Sequence, residues 1–429
     1  MQASVLFARQ PIFDRGMNVY AYELLCRSGQ HRETSERAQD QASSEVLLNA
    51  FSSVDICQVV GHRKAFVNFT ENLLHVSPLF GSRHLVVEVL ESVIANENAL
   101  GAMKQLKASG FTIALDDFEL SANSEPLLAY ADIVKLDVLA LNDERLAAHV
   151  RALKPYGVEL LAEKIETYEI LEQCRALGFD YFQGYFLSKP RDFAGRKIQE
   201  NRVALMQLLA EIHRPNIEFR EIERLIKQDP VISFKLLRLI NSAAFHLVRK
   251  IRSLKEAITM LGIAQIRRWA TLLSLHEGTD KPLELSATTL ARAQMCYLIA
   301  KTVSPRDSET CFTAGLFSTL DAFLDAPIEE VLKELPLTQD LMDSITKHTG
   351  RAGRILSNVI AYEEARWEDI DLTDWPGFDE AKMALAYRES LDWVSKTLVA
   401  AKVGRTPKKR RNSRMAPRAP TAQQVGTGG

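Results

Sequence analysis

Within the first 190 residues, seven short apolar runs each carry an acidic or amide side chain at or near one end. VYAYELL carries Glu23, KAFVNF carries Asn68, and LVVEVLES carries Glu88 and Glu91. FTIALDDF holds Asp116 and Asp117, and DIVKLDVL holds Lys135 and Asp137. LLAEKIE holds Glu163 and Glu166, and DYFQGYF holds Gln183. Carboxylates and carboxamides are hard oxygen donors that suit Mg²⁺ or Mn²⁺ rather than zinc. Two divalent ions about 4 Å apart need several such oxygens, with one carboxylate bridging them. Lys135 adds a point charge able to orient a water or to neutralise a phosphoryl oxygen. Taken singly, each acid reads as a helix cap or as the partner of a Lys or Arg. Taken as an ordered set, that reading demands a separate partner for every charge in one crowded place.

Runs rich in β-branched and aromatic residues at this length read as buried strands, where charge is unexpected unless it is paired or binds metal. Between them lie helical stretches at Glu36–Val54, Asn98–Ala108, Glu144–Leu153 and Tyr168–Leu177, with Gly110 and Gly178 placed as helix C-caps. Strand–helix alternation predicts a mainly parallel sheet, and charges repeated at strand ends predict a TIM-like β/α barrel with an oxygen-rich mouth. The segment FARQPIFDRGMNVYAYELL breaks the alternation. It reads as a hairpin about Asp14-Arg15-Gly16, so one barrel strand is expected to run antiparallel. Asp116 and Asp117 would face opposite ways in a regular strand, but both can turn to the mouth where the chain leaves the sheet.

After Pro190 the period changes. FREIERLIKQ, VISFKLLRLINSA, SLKEAITMLG and IAQIRRWATLLSLH space apolar residues three and four apart, which predicts an all-α bundle. Ser253 with Glu256 reads as a capping box, and Asp229-Pro230 as another helix start. The stretch from Gly404, with its KKRRNSR run, has little apolar to bury and is expected to be disordered. The division expected is therefore 1–195 barrel, 196–403 helical domain and 404–429 basic tail.

The formal net charge of −2 gives no reason to expect nucleic-acid or anionic-membrane binding by the whole chain. No apolar run approaches the roughly 20 residues needed to span a bilayer. The five cysteines are scattered, which favours reduced thiols in a cytoplasmic protein. His62, His75 and His84 lack regular ligand spacing and read as surface or core residues.

The ordered motifs YELLCR, FVNF, EVLE, ALDDF, VKLD, AEKIET and FQGYF resemble those of EAL-domain cyclic-di-GMP phosphodiesterases, over roughly the first 190 residues. The resemblance implies hydrolysis of cyclic di-GMP to linear pGpG by two ions, Mg²⁺ or Mn²⁺. It places Glu23, Asn68, Glu88 and Asp116 around one metal, and Asp116, Asp117 and Glu163 around the second. Lys135 and Glu166 would position the attacking water, with Gln183 holding that network. Gln10 and Arg27 match positions that contact the substrate, and Glu91 the anchor of the loop after the Asp pair. The signature Glu-Ala-Leu reads Glu23-Leu24-Leu25 here. That loop reads DDFELSANSEP instead of the glycine- and serine-rich DDFGTGYSS, whose glycines allow backbone angles that Glu119 and Ser121 resist.

QDPVISFKLLRLINSAAF, IRSLKEAITMLG and IRRWATLLSL resemble the HDOD domain, a regulatory relative of HD phosphohydrolases. Where a His-Asp pair would fall, GLFSTLDAF offers Asp321 with Ser318 and Thr319, and His348 has no companions at ligand spacing. Asn241 and Ser242 read as helix-end hydrogen-bonding groups. This half is thus expected to be a non-catalytic regulator that recruits protein partners, and the resemblance also implies an EAL-like homodimer. The retained ligand set points to an enzyme. The rewritten loop points to the alternative, a degenerate barrel that senses cyclic di-GMP or serves as a protein scaffold. A third reading is a scaffold whose basic tail touches nucleic acid weakly.

Overall fold

A computed structural model describes residues 6–27, 59–76, 82–189, 217–228, 253–277, 281–333, 335 and 337–402, with isolated positions at 209, 211–212 and 240. The helix expected at Glu36–Val54, the Asp229-Pro230 start, Asn241, Ser242 and the tail from 404 lie outside the described residues. So does the side chain of Arg27.

Eight strands close a barrel in sequence order: β1 (Leu6–Asp14), β2 (Val19–Arg27), β3 (Lys64–Phe69), β4 (Leu85–Val89), β5 (Thr112–Leu115), β6 (Ile133–Asp137), β7 (Glu159–Glu163) and β8 (Tyr181–Gln183). The expected hairpin forms, and Asp14 closes its turn by accepting from Gly16 N and Asn18 N. β1 is the antiparallel strand, paired that way with both β2 and β8, and every other pair is parallel.

Among the described residues the helices of ten residues or more are α1 (Glu97–Ala108), α2 (Asp143–Leu153), α3 (Tyr168–Leu177), α4 (Phe219–Gln228), α5 (Leu254–Glu277), α6 (Leu283–Val303), α7 (Ser308–Phe317), α8 (Gly350–Glu363) and α9 (Glu380–Lys402). Capping fixes where α1 to α3 start. Asn96, Asn142 and Thr167 each accept from a backbone amide in the first turn, so α1 and α2 begin one residue earlier than periodicity alone suggests. Gly178 ends α3 in the left-handed conformation, as its placement predicts.

Inside the barrel, Ile12, Ala21, Phe66, Val86, Ala114, Ile133 and Leu161 form a dry layer, with Tyr20 and Tyr181 packed against it. One residue comes from each of β1 to β7. Because strand side chains alternate faces, the next inward position lies two residues along each strand. Those positions are Gln10, Glu23, Asn68, Glu88, Asp116, Lys135 and Glu163, with Gln183 above Tyr181. The polar mouth is one pleat above an apolar plug.

No strand occurs among the described residues after Gln183. Ser253 Oγ accepts from Glu256 N at 3.1 Å, the expected cap at the start of α5, which bends where Gly262 takes φ 79°. The hub is α6, packed on α7, α8 and α9, while α8 and α9 also touch β1. Buried apolar side chains run without a break from the barrel's outer face into the helical half. No described helix is long and apolar enough to cross a membrane.

Candidate active site

Lys135 stands at the centre of the mouth, only 1 % exposed. Its Nζ donates to Asp116 Oδ1 at 2.8 Å and to Glu88 Oε1, and lies 2.6 Å from Glu163 Oε1 and 3.4 Å from Glu23 Oε2. Four carboxylates around one ammonium leave three negative charges without compensation if all are ionised. Glu23, Glu88 and Glu163 each offer an oxygen within 4.8 Å of the other two. The separate partners that a purely structural reading demands are replaced by a single shared lysine.

The ionisation of the cluster follows from burial. Desolvation, then the charge of Glu23, pushes Glu88 well above its ordinary value. Burial likewise pushes Glu163 up to about 8, with the Lys135 ammonium pulling against it and Asp116 and Glu23 adding to it. Burial alone would lower Lys135, but the carboxylates outweigh it and hold the ammonium charged.

Gln183 ties the far side of the mouth together. Its Nε2 donates to Glu23 Oε2 at 2.6 Å and to Gln10 Oε1 at 2.9 Å. Gly184, which follows, has φ 150°, and a Cβ there would collide with the backbone of Ile165. That contact is fixed by two hydrogen bonds, Ile165 N to Gln183 O and Phe186 N to Ile165 O. Only glycine lets β8 end against the chain that leaves β7.

The mouth also has acceptors without donors. Asn68 Oδ1, Glu88 Oε2, Asp117 Oδ1 and Gln183 Oε1 are buried and have no hydrogen-bond partner. Unsatisfied buried polar atoms are rare in folded proteins, because each costs about 1–3 kcal/mol. Here all four are oxygens, and they coincide with excess negative charge. A hard divalent cation fits both conditions.

Asp116 and Asp117 part company at the end of β5. Asp117 takes φ 39°, so the chain turns there and the two carboxylates do not simply alternate. Asp116 reaches Lys135, whereas Asp117 Oδ2 lies 3.5 Å from the half-exposed Lys164. Lys164, itself at φ 56°, bonds Asp137 at 2.6 Å. The Asp137–Lys164 pair was not among the residues singled out for the site. An acid ending a strand was visible in VKLD, but nothing local in AEKIE marks its lysine as the partner.

The structure does not bring Glu166 into the layer. It follows the turn at Lys164 and pairs with Lys189 at 3.0 Å, with both side chains about half exposed. Glu91 is exposed, and the bond tying its segment to the loop after the Asp pair runs from Ala95 N to Asn123 O. In that loop neither Glu119 nor Ser121 has positive φ. Ser124 Oγ bonds Ser121 Oγ at 2.9 Å and donates to Glu119 O, so the segment is knotted on itself. His62, His75 and His84 are all exposed.

In the helical half Asp321 sits beside α6, and burial pushes its carboxyl up to about 6. The nearby Arg292 donates to Glu363 at 2.8 Å and to Ser318 at 3.1 Å.

A closed β/α barrel with an acid-rich mouth, followed by a helical bundle, defines the class, and comparison with known proteins gives the family. The EAL domain matches residues 32–190 and the HDOD domain residues 201–330, so β1 and β2 precede the first match. The chain is 31 % identical over 400 residues to the uncharacterized protein YuxH of Bacillus subtilis, covering 91 % of this chain and 98 % of that one. It is 33 % identical over 371 residues to the cyclic di-GMP phosphodiesterase CdgJ of Vibrio cholerae, covering 85 % and 86 %. A manganese and cyclic-di-GMP complex of Klebsiella pneumoniae BlrP1 aligns at 20 % identity and TM-score 0.36, over 43 % of this chain and 55 % of that one. The chain belongs to the family of proteins that join an EAL domain to an HDOD domain.

Proposed function

We propose that this protein is a cyclic-di-GMP phosphodiesterase that hydrolyses its substrate to linear pGpG with divalent cations. The observation that carries the reading is the mouth itself: four carboxylates share one lysine, and oxygens of Asn68, Glu88, Gln183 and the neighbouring, partly exposed Asp117 have no donor. The similarity, over 85 % of this chain, to a protein named as a cyclic di-GMP phosphodiesterase supports the choice of substrate.

Glu23, Asn68, Glu88 and Asp116 would hold one Mg²⁺ or Mn²⁺, and Asp116, Asp117 and Glu163 the second. When bound, such ions offset charge on the phosphoryl oxygens and lower the pKa of water. The chain's own groups do the rest. Lys135 keeps a proton and a positive charge among the carboxylates. Gln183 orients Glu23 and Gln10 together, and Gln10 with Arg27 would face the substrate. The dry layer beneath closes the barrel to water from below. The helical half acts as a non-catalytic regulator in a cytoplasmic protein.

The test is incubation of the purified protein with cyclic di-GMP and Mn²⁺, following pGpG by chromatography. Turnover in the wild type and none in Glu23→Ala is the expected result. The Ser121–Ser124 knot favours a second reading, in which the rewritten loop leaves a barrel that binds cyclic di-GMP without cleaving it. Tight binding with no product in the same experiment selects that reading.

A further inference from the structure

The strands that carry Gln10, Glu23 and Gln183 are the ones the helical half grips. Adjacent strand residues face opposite ways, so each inward group has an outward neighbour. Tyr22, beside Glu23, is buried and donates to Glu284 Oε2 of α6 at 3.0 Å. Arg9, beside Gln10, stacks its guanidinium 4.3 Å from the Tyr22 ring and 4.0 Å from Glu284 Oε1. Its backbone N–H donates to Tyr387 Oη of α9 at 3.2 Å. Tyr185, two residues after Gln183, donates to Glu364 O just beyond α8 at 3.0 Å. Gln10 and Glu23 face each other in the β1–β2 register, and Gln183 bonds both. The three linked residues of the mouth are thus backed by three contacts to three helices. Among the described residues, no hydrogen bond or ion pair joins β4, β5 or β7, on the opposite wall, to the helical half.

We propose that the helical half is part of the cation site: Arg9, Tyr22 and Tyr185 are positioning residues through which Glu284, Tyr387 and Glu364 fix Gln10, Glu23 and Gln183. This rests on the cation reading above. The helical half then acts on affinity for metal by setting one wall of the mouth. Loss of an outer partner of a metal ligand typically weakens binding about 10–100-fold, and a partner acting through one backbone step falls at or below the bottom of that range.

The test uses the full chain and Mn²⁺ titrated by calorimetry, with thermal unfolding in EDTA as the fold control. Tyr22→Phe, Glu284→Leu and Tyr185→Phe should each weaken Mn²⁺ about three- to tenfold. The double variant Tyr22→Phe/Glu284→Leu should be no weaker than the worse single, because both remove one bond. Thr289→Val removes a buried bond to Thr319 within the helical half and should leave Mn²⁺ affinity unchanged. Folded Tyr22→Phe and Tyr185→Phe proteins with wild-type Mn²⁺ affinity overturn the proposal, as does equal weakening by Thr289→Val. A wild type that binds no Mn²⁺ instead removes the proposed function and this inference with it.

Discussion

Buried charge is arranged in opposite ways in the two halves. Among the described residues of the helical half each buried basic group has its own acid: Lys281 lies 2.5 Å from Asp325 with both side chains about 1 % exposed, Arg292 lies 2.8 Å from Glu363, and Arg268 pairs with Glu309. In the barrel one lysine serves four carboxylates, and four oxygens find no donor. One-to-one pairing keeps the cost of desolvation local and is compatible with a purely structural role. An acid excess that persists in a buried mouth lowers stability unless something positive arrives. On the function proposed above, the difference separates charges that hold a fold from charges that await a cation.

The sharpest way to break that contrast is to remove each central cation. Lys135→Met should cost about 5 kcal/mol in EDTA, the upper end for stranding buried charge. Mn²⁺ at a hundred times its Kd should return about 2.7 kcal/mol of that. Arg292→Met should cost about 3 kcal/mol by urea unfolding, and Mn²⁺ should restore none of it. If both variants respond to Mn²⁺ alike, the two halves do not differ as described.

The unmodified protein should itself gain about 2.7 kcal/mol at the same Mn²⁺ excess, reversed by chelation. An unchanged melting curve counts against the cation reading. The smallest effect concerns Asp321, whose folded pKa is raised by burial to about 6 from an ordinary 3.8. A raised acid means that the folded state binds more protons than the unfolded one between those values, so stability falls as pH rises through that window. Asp321→Asn should therefore add on the order of 1 kcal/mol at pH 7.5 and nothing near pH 3. Urea midpoints at the two pH values decide it, and an equal gain at both refutes the assignment.

The mouth was legible because its residues obey a local rule. Ala21 and Glu23, Phe66 and Asn68, Val86 and Glu88, and Leu161 and Glu163 each put a plug residue and a site residue on one face of one strand. Period-two alternation writes that into the sequence directly. Lys135 was legible as a site residue. Its bonding to four acids was not, because that depends on five strands meeting. Glu166 lies just past Glu163 in sequence, yet the positive-φ turn at Lys164 sends it to the surface and to Lys189. Tyr22, Arg9 and Tyr185 read as ordinary strand residues, since their partners lie more than 170 positions away. Helical periodicity marks which faces of α6, α8 and α9 are apolar, but not which strand they meet.

Gly184 has a consequence for variation in this chain. A saturation library scored for abundance would show an isolated forbidden column there, as severe as any in the plug. Neighbouring Tyr185 would tolerate phenylalanine, and exposed Lys189 nearly anything. Because the obstacle is the Ile165 main chain, no second substitution could relieve it, and a lineage that loses this glycine has no route back through compensation.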